Sequence, residues 1–110
     1  MKTKASILIA NYNNQKYINK CVSSLLNQTY KNIEIIVWDN CSTDNTSVII
    51  NNFRDDRLKY YKSDVHTQLS DARILASKKI KGEYVAIVDS DDLAYKDKIY
   101  DQYIYFSKNQ

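Results

Sequence analysis

Four short apolar runs alternate with segments of helical period, and this alternation constrains the fold more than any other feature of the chain. ASILIA (5–10), IEIIVW (33–38), LKYYK (58–62) and EYVAIV (83–88) are strand-length and rich in β-branched or aromatic residues. The stretches between them change period. Tyr17, Ile18, Cys21, Val22, Leu25 and Leu26 recur every three to four residues, with Asn13 or Asn14 placed to cap the helix they predict.

DNCSTDNTS, after the second run, is a turn-rich loop whose Asx and hydroxyl side chains suit the start of a helix with Val48, Ile49 and Phe53 on its core face. A third helix is predicted near Leu69 to Ile80, with Ala72, Leu75, Ala76 and Lys79 along one side and Gly82 as its stop. A fourth is predicted from Asp97 to Ser107. Strands separated by helices pair in parallel through crossovers. The expectation is an α/β fold with an open, doubly wound, mostly parallel sheet in three α/β/α layers, a single domain over residues 1–110.

Composition removes several function classes. Sixteen basic and thirteen acidic residues give a net charge of +3, spread without a block that would follow a phosphate backbone, so nucleic acid is not expected as a partner. Of the ten tyrosines, Tyr60, Tyr61 and Tyr84 fall in strand-like runs and Tyr100 and Tyr103 in a helix-like one, where packing accounts for them better than base stacking. Gly82 is the only glycine, which excludes both the GxxxxGK phosphate loop and the GxGxxG dinucleotide turn. Cys21 and Cys41 match no metal or redox spacing and are read as structural. The apolar stretch near Met1 stops too soon for a signal peptide, so a cytoplasmic location is expected.

Ligands of doubly wound sheets bind beyond the carboxyl ends of the strands, where strand order reverses. Asn11, Tyr12 and Asn13 follow the first run, Asp39 ends the second, and Asp89, Asp91 and Asp92 follow the fourth in VAIVDSDDL. Crowded carboxylates repel one another unless a cation neutralises them or water solvates them. Hard oxygen ligands suit Mg2+ or Mn2+. An EF-hand is excluded, because counting from Asp89 puts Ala94 where Gly is needed and Tyr100 where Glu is needed. An aspartyl phosphatase, with Asp89 as nucleophile and Asp91 as acid/base, would explain the cluster but would leave Asp39 and Asn11 idle.

Taken in order, these segments resemble the N-terminal half of family 2 inverting glycosyltransferases of the GT-A fold. SILIANYNNQKYINKCVSSLLNQTY resembles the family's first strand, P-T-Y-N turn and helix; IEIIVWDNCSTDNT resembles its V-D-D-G-S-x-D-x-T nucleotide loop; LSDARILASKKIKGEYVAIVDSDD resembles the A-R-N helix leading to L-D-x-D-D. The resemblance implies a UDP-sugar donor site contacted by Asn11, Tyr12, Asn13, Asp39, Arg73 and Asp91. Asp39 would accept the uracil N3 hydrogen, Asn11 would contact the nucleoside and Asp91 would reach the ribose. Asp92, with Asp91 and Asp89, would hold Mn2+ or Mg2+ at the diphosphate.

The chain departs from the family pattern at Ala10 for Pro, Asn40 for the second Asp, Cys41 for Gly, Gln68 for Gly and Ile74 for Asn. His66 is read as a surface loop residue. The family's acceptor half carries the general base and normally follows the D-x-D motif, so this sequence is expected to be a donor-binding piece without a catalytic base. The complete protein would act on a glycan or lipid-linked acceptor. A non-catalytic nucleotide-binding module is the other reading.

Overall fold

The computed structural model describes residues 4–108. Its elements are β1 (Ala5–Asn11), α1 (Gln15–Leu26), β2 (Ile33–Asp39), α2 (Thr46–Asn51), β3 (Leu58–Lys62), α3 (Leu69–Ser77), β4 (Tyr84–Ile87) and α4 (Lys98–Lys108). The strands pair in parallel in the order β3-β2-β1-β4. The chain winds outward from β1 to β3 and then returns to the other side of β1. Strand order therefore reverses between β1 and β4, which is the expected ligand position.

Strand parity assigns the faces. Ala5, Ile7 and Ile9 of β1 and Ile33, Ile35 and Val37 of β2 pack with α1 (Ile18, Cys21, Val22, Leu25), α2 (Ile50) and α4 (Ile99). Leu8 and Ile36 point the other way and pack with Ala76 of α3, flanked by Trp38, Tyr61 and Ile80. The three layers follow from this two-sided burial. β4 is covered less: Val85 and Ile87 are 44% and 58% exposed. No helix among the described residues is long and apolar enough to cross a membrane.

Three local expectations are corrected. Val48 is 59% exposed, because the short α2 turns Thr46 and Ile50 inward and a residue two short of Ile50 faces away. α3 stops at Ser77; the N–H groups of Lys78, Lys79 and Ile80 bond back to Leu75, Ala76 and Ser77, so the chain leaves the helix through a tightened turn.

Gly82 does not serve as a left-handed helix stop, since its φ is not positive. It is needed for close approach: a Cβ there would lie 2.7 Å from both the backbone N and Oγ of Ser6. Its N–H donates to Ser6 Oγ (2.8 Å), whose hydroxyl donates to the buried Glu34 (2.5 Å).

Candidate functional site

The turn after β4 carries the three carboxylates. The Val88 N–H still bonds to Leu8, and the Asp92 N–H then closes a tight turn on the Asp89 carbonyl at 3.0 Å. Asp89, Asp91 and Asp92 are exposed, and one oxygen from each lies within 4.8 Å of the others. Helix α1 and the residues flanking it brace the turn and the segment that follows it. Asn14 Nδ2 donates to Ser90 Oγ (2.6 Å), Cys21 Sγ to the Asp89 carbonyl (3.5 Å), and Gln28 Nε2 to the Tyr95 carbonyl (2.8 Å), while the Ala94 N–H donates to Ser24 Oγ (3.0 Å).

Burial, then the neighbouring charges of Asp92, Asp91 and Asp89, pushes the Cys21 thiol up to about 12, so it stays protonated and structural. Arg73 approaches Asp89 at 3.5 Å, an exposed pair of little energetic worth. Three hard oxygen donors, converging on a braced turn, fit a divalent Mg2+ or Mn2+ that keeps positions for water and phosphate.

The second part of the site lies under the loop that follows β2. Asn11 and Asp39 are register partners and share the parity of Ile7, Ile9, Ile35 and Val37, so both side chains point beneath the loop instead of outward. Asp39 is 0% exposed; one oxygen accepts from the Ser42 N–H (3.1 Å) and the other from the Tyr60 hydroxyl. Asn11, 1% exposed, donates to Ser42 Oγ (3.3 Å) and Thr46 Oγ1 (3.2 Å), and its Oδ1 has no hydrogen-bond donor among the described residues. The expected direct contacts of Asp39 with uracil and of Asn11 with the nucleoside are therefore not what this geometry offers. Strand parity turns both residues into anchors of the loop.

Neither Asn13 nor Asn14 caps α1 with its side chain. Asn13, at φ 51°, instead accepts from the Thr43 and Asp44 N–H groups (2.8 and 3.2 Å). Asp44 takes the capping role from across the site. Its Oδ2 accepts from the Gln15 N–H in the first turn of α1 (3.0 Å), and its Oδ1 from the N–H (3.0 Å) and hydroxyl (2.6 Å) of Thr46. Burial alone would raise the Asp44 carboxyl; these bonds outweigh it and hold the group below the usual carboxylate range.

Asn40 explains one departure from the family pattern. It donates to the Thr67 carbonyl (2.7 Å) and accepts from the Thr67 N–H (2.9 Å), a pairing that needs an amide and that a carboxylate cannot make. Cys41 holds φ 66° where the family has Gly.

The outward-facing aromatic residue is Tyr12, 45% exposed, with the His66 ring 4.2 Å from it, centroid to centroid. His66 is thus a neighbour of the candidate site as well as a loop residue. Tyr60, Ser42, Ser90 and Asp44 were not singled out as site residues by the sequence, and Asn14 only as a helix cap. The parity of β3, which puts Tyr60 on the face of Asp39, was the signal for the first of them.

The family model for glycosyl transferase family 2 matches residues 6–110. The chain belongs to glycosyl transferase family 2. Among curated relatives of this family 2 chain, the UDP-Glc:alpha-D-GlcNAc-diphosphoundecaprenol beta-1,3-glucosyltransferase WfaP of Escherichia coli is 45% identical over 105 residues, covering 96% of the chain and 41% of WfaP. Glycosyltransferase GlyG of Streptococcus pneumoniae is 38% identical over 101 residues, 90% of the chain and 34% of GlyG. The chain thus spans about two fifths or less of these relatives.

Among solved structures, residues 1–349 of S. aureus TarS in complex with UDP-GlcNAc superpose with a TM-score of 0.89 at 32% identity, covering 96% of the chain and 31% of TarS 1–349. The fold is shared also with the mannosyltransferase PcManGT of Pyrobaculum calidifontis, solved with GDP-Man and Mn2+ (TM-score 0.78, 23% identity, 86% of the chain and 29% of PcManGT). Family membership sets aside the aspartyl-nucleophile reading of Asp89.

Proposed function

We propose that this domain binds the nucleotide portion of a UDP-sugar across the β1–β4 switch point, and that the complete protein transfers the sugar, with inversion, to a glycan or lipid-linked acceptor. The observation that carries the reading is the convergence of three exposed carboxylate oxygens within 4.8 Å where strand order reverses. The UDP-GlcNAc complex of TarS and the UDP-Glc and diphosphoundecaprenol in WfaP's name support the donor and the acceptor class.

In this reading Asp92, Asp91 and Asp89 hold Mn2+ or Mg2+. When bound, such an ion supplies Lewis-acid neutralisation of the charge that develops on a departing diphosphate. The base packs on the exposed ring of Tyr12, and Arg73 lies at the phosphate side of the cluster. Asp39, Asn11 and Asn13 hold the 40–45 loop as one wall of the pocket, and Asp91 also reaches the ribose. No glycine-rich cradle is present to neutralise phosphate, so the carboxylate-held ion takes that task.

The test is titration calorimetry of UDP in Mn2+ and in EDTA. Binding is expected in Mn2+ only, with roughly 2.7 kcal/mol of added thermal stability at a ligand concentration a hundredfold above Kd. Asp92→Ala should abolish the metal effect. Equal binding of UDP in EDTA would overturn the proposal.

A further inference from the structure

We infer that Tyr60, on β3 and outside every motif, is a positioning residue of the donor site: its hydroxyl donates to the buried Asp39 carboxylate and so fixes the 40–45 loop against which the nucleotide binds. The inference rests on the donor-site reading above. A carboxylate buried this completely is costly unless each oxygen is given a donor. Here one donor is the Ser42 N–H, which belongs to the loop itself, and the other is Tyr60.

From Asp39 the bonds run onward to the site. Ser42 Oγ accepts from the Asn13 N–H at 2.9 Å and from Asn11 Nδ2 at 3.3 Å, and Asn13 Oδ1 accepts from the Thr43 N–H at 2.8 Å. One hydroxyl on β3 is thereby linked to the β1–α1 turn through groups that each have a partner. Burial first, then the bond to Asp39, keeps the Tyr60 phenol protonated well above its ordinary range, so it remains a donor at any physiological pH. Tyr61, the next residue, points to the opposite face and stacks on Trp38, which makes it a natural control.

Tyr60→Phe keeps the ring and removes only the donor. It is expected to weaken UDP binding in Mn2+ by about fivefold or more, at a temperature where parent and variant are fully folded. Hydrogen exchange at the Ser42 amide should accelerate while exchange in the β1 and β2 ladders does not. Tyr61→Phe should bind UDP as the parent does. Asp39→Asn combined with Tyr60→Phe should lose less affinity than the two single losses multiplied, because both act through one bond.

Parental affinity in Tyr60→Phe, or an equal loss in Tyr61→Phe, would overturn the inference while leaving the donor site standing. Failure of the unaltered chain to bind UDP would overturn both. If Tyr60→Phe does not fold, the unaltered chain decides by NMR: a slowly exchanging Tyr60 hydroxyl proton that shifts on UDP addition is expected, and its absence overturns the assignment.

Discussion

Asp44 shows how much one side chain can organise at this site. It bridges the first turn of α1 and the start of α2, an exchange completed by the Asn45 N–H donating to Gln15 Oε1 at 2.9 Å. Its folded-state pKa lies below the unfolded value of about 3.9. The stabilisation it provides is therefore complete above that unfolded value and is lost as pH falls through the lower folded one. We expect Asp44→Asn to unfold at a lower temperature than the parent at pH 7, with the difference shrinking as pH falls below about 4; a gap that stays constant to pH 3 would show that the charge of Asp44 plays no part.

At this scale the sequence disclosed residue types better than directions. The D-x-D carboxylates were legible because three acids crowded behind one strand repel one another unless a cation or water attends them. Asp39 and Asn11 were named as pocket residues, but whether a side chain faces ligand or loop depends on strand parity, which the position of a strand's last residue alone leaves open.

The strands were the most legible elements, β1 and β2 above all, since two-sided burial writes itself as apolar runs rich in β-branched residues. β1 and β2 extend one residue past the apolar runs, to Asn11 and Asp39, because those side chains stay in the ladder while serving the loop. Helix ends were less legible. The end of α3 was read from Gly82, yet that glycine answers to a neighbour far along the chain, Ser6 on β1, and long-range contact of this kind has no local signature. The α1 cap was sought in Asn13 and Asn14 for the same reason, and it comes from Asp44, twenty-nine positions after Gln15.

Gly82→Ala tests the element-level account. The added methyl would meet Ser6 backbone at 2.7 Å in a segment pinned by Glu34, which also accepts from the Lys81 N–H at 2.7 Å, so the strand cannot yield freely. A destabilisation of about 1–3 kcal/mol is expected from urea unfolding, the range for overpacking. A left-handed helix stop would instead predict that Gly82→Asn is tolerated; the close approach predicts that it is worse than Gly82→Ala.

For the whole molecule, the site is assembled from three of the four strands, and each contributes a different part: β1 the turn bearing Tyr12, β2 the anchored loop, β4 at the sheet edge the carboxylates. On the proposed reading, this division makes donor binding separable from transfer. We expect the 110-residue chain alone to bind UDP-sugar and to release UDP only at a slow, acceptor-independent rate. Inverting transfer needs a positioned base for the acceptor hydroxyl, typically a contribution of about 10² to 10⁴-fold. It also needs an oriented acceptor, which contributes up to roughly 7–11 kcal/mol in the best cases. The carboxylates at hand are poor substitutes. Asp91 and Asp92 would be committed to the ion, and Asp39 is fully buried with both oxygens occupied. Relatives such as WfaP, of which the chain covers 41%, have more than half their length in which to place the base and the acceptor surface. The measurement is UDP release from a UDP-sugar with and without a panel of glycan and lipid-linked acceptors. Turnover that rises with an acceptor to ordinary enzyme rates and is lost in Asp92→Ala would show that these 110 residues carry the whole reaction.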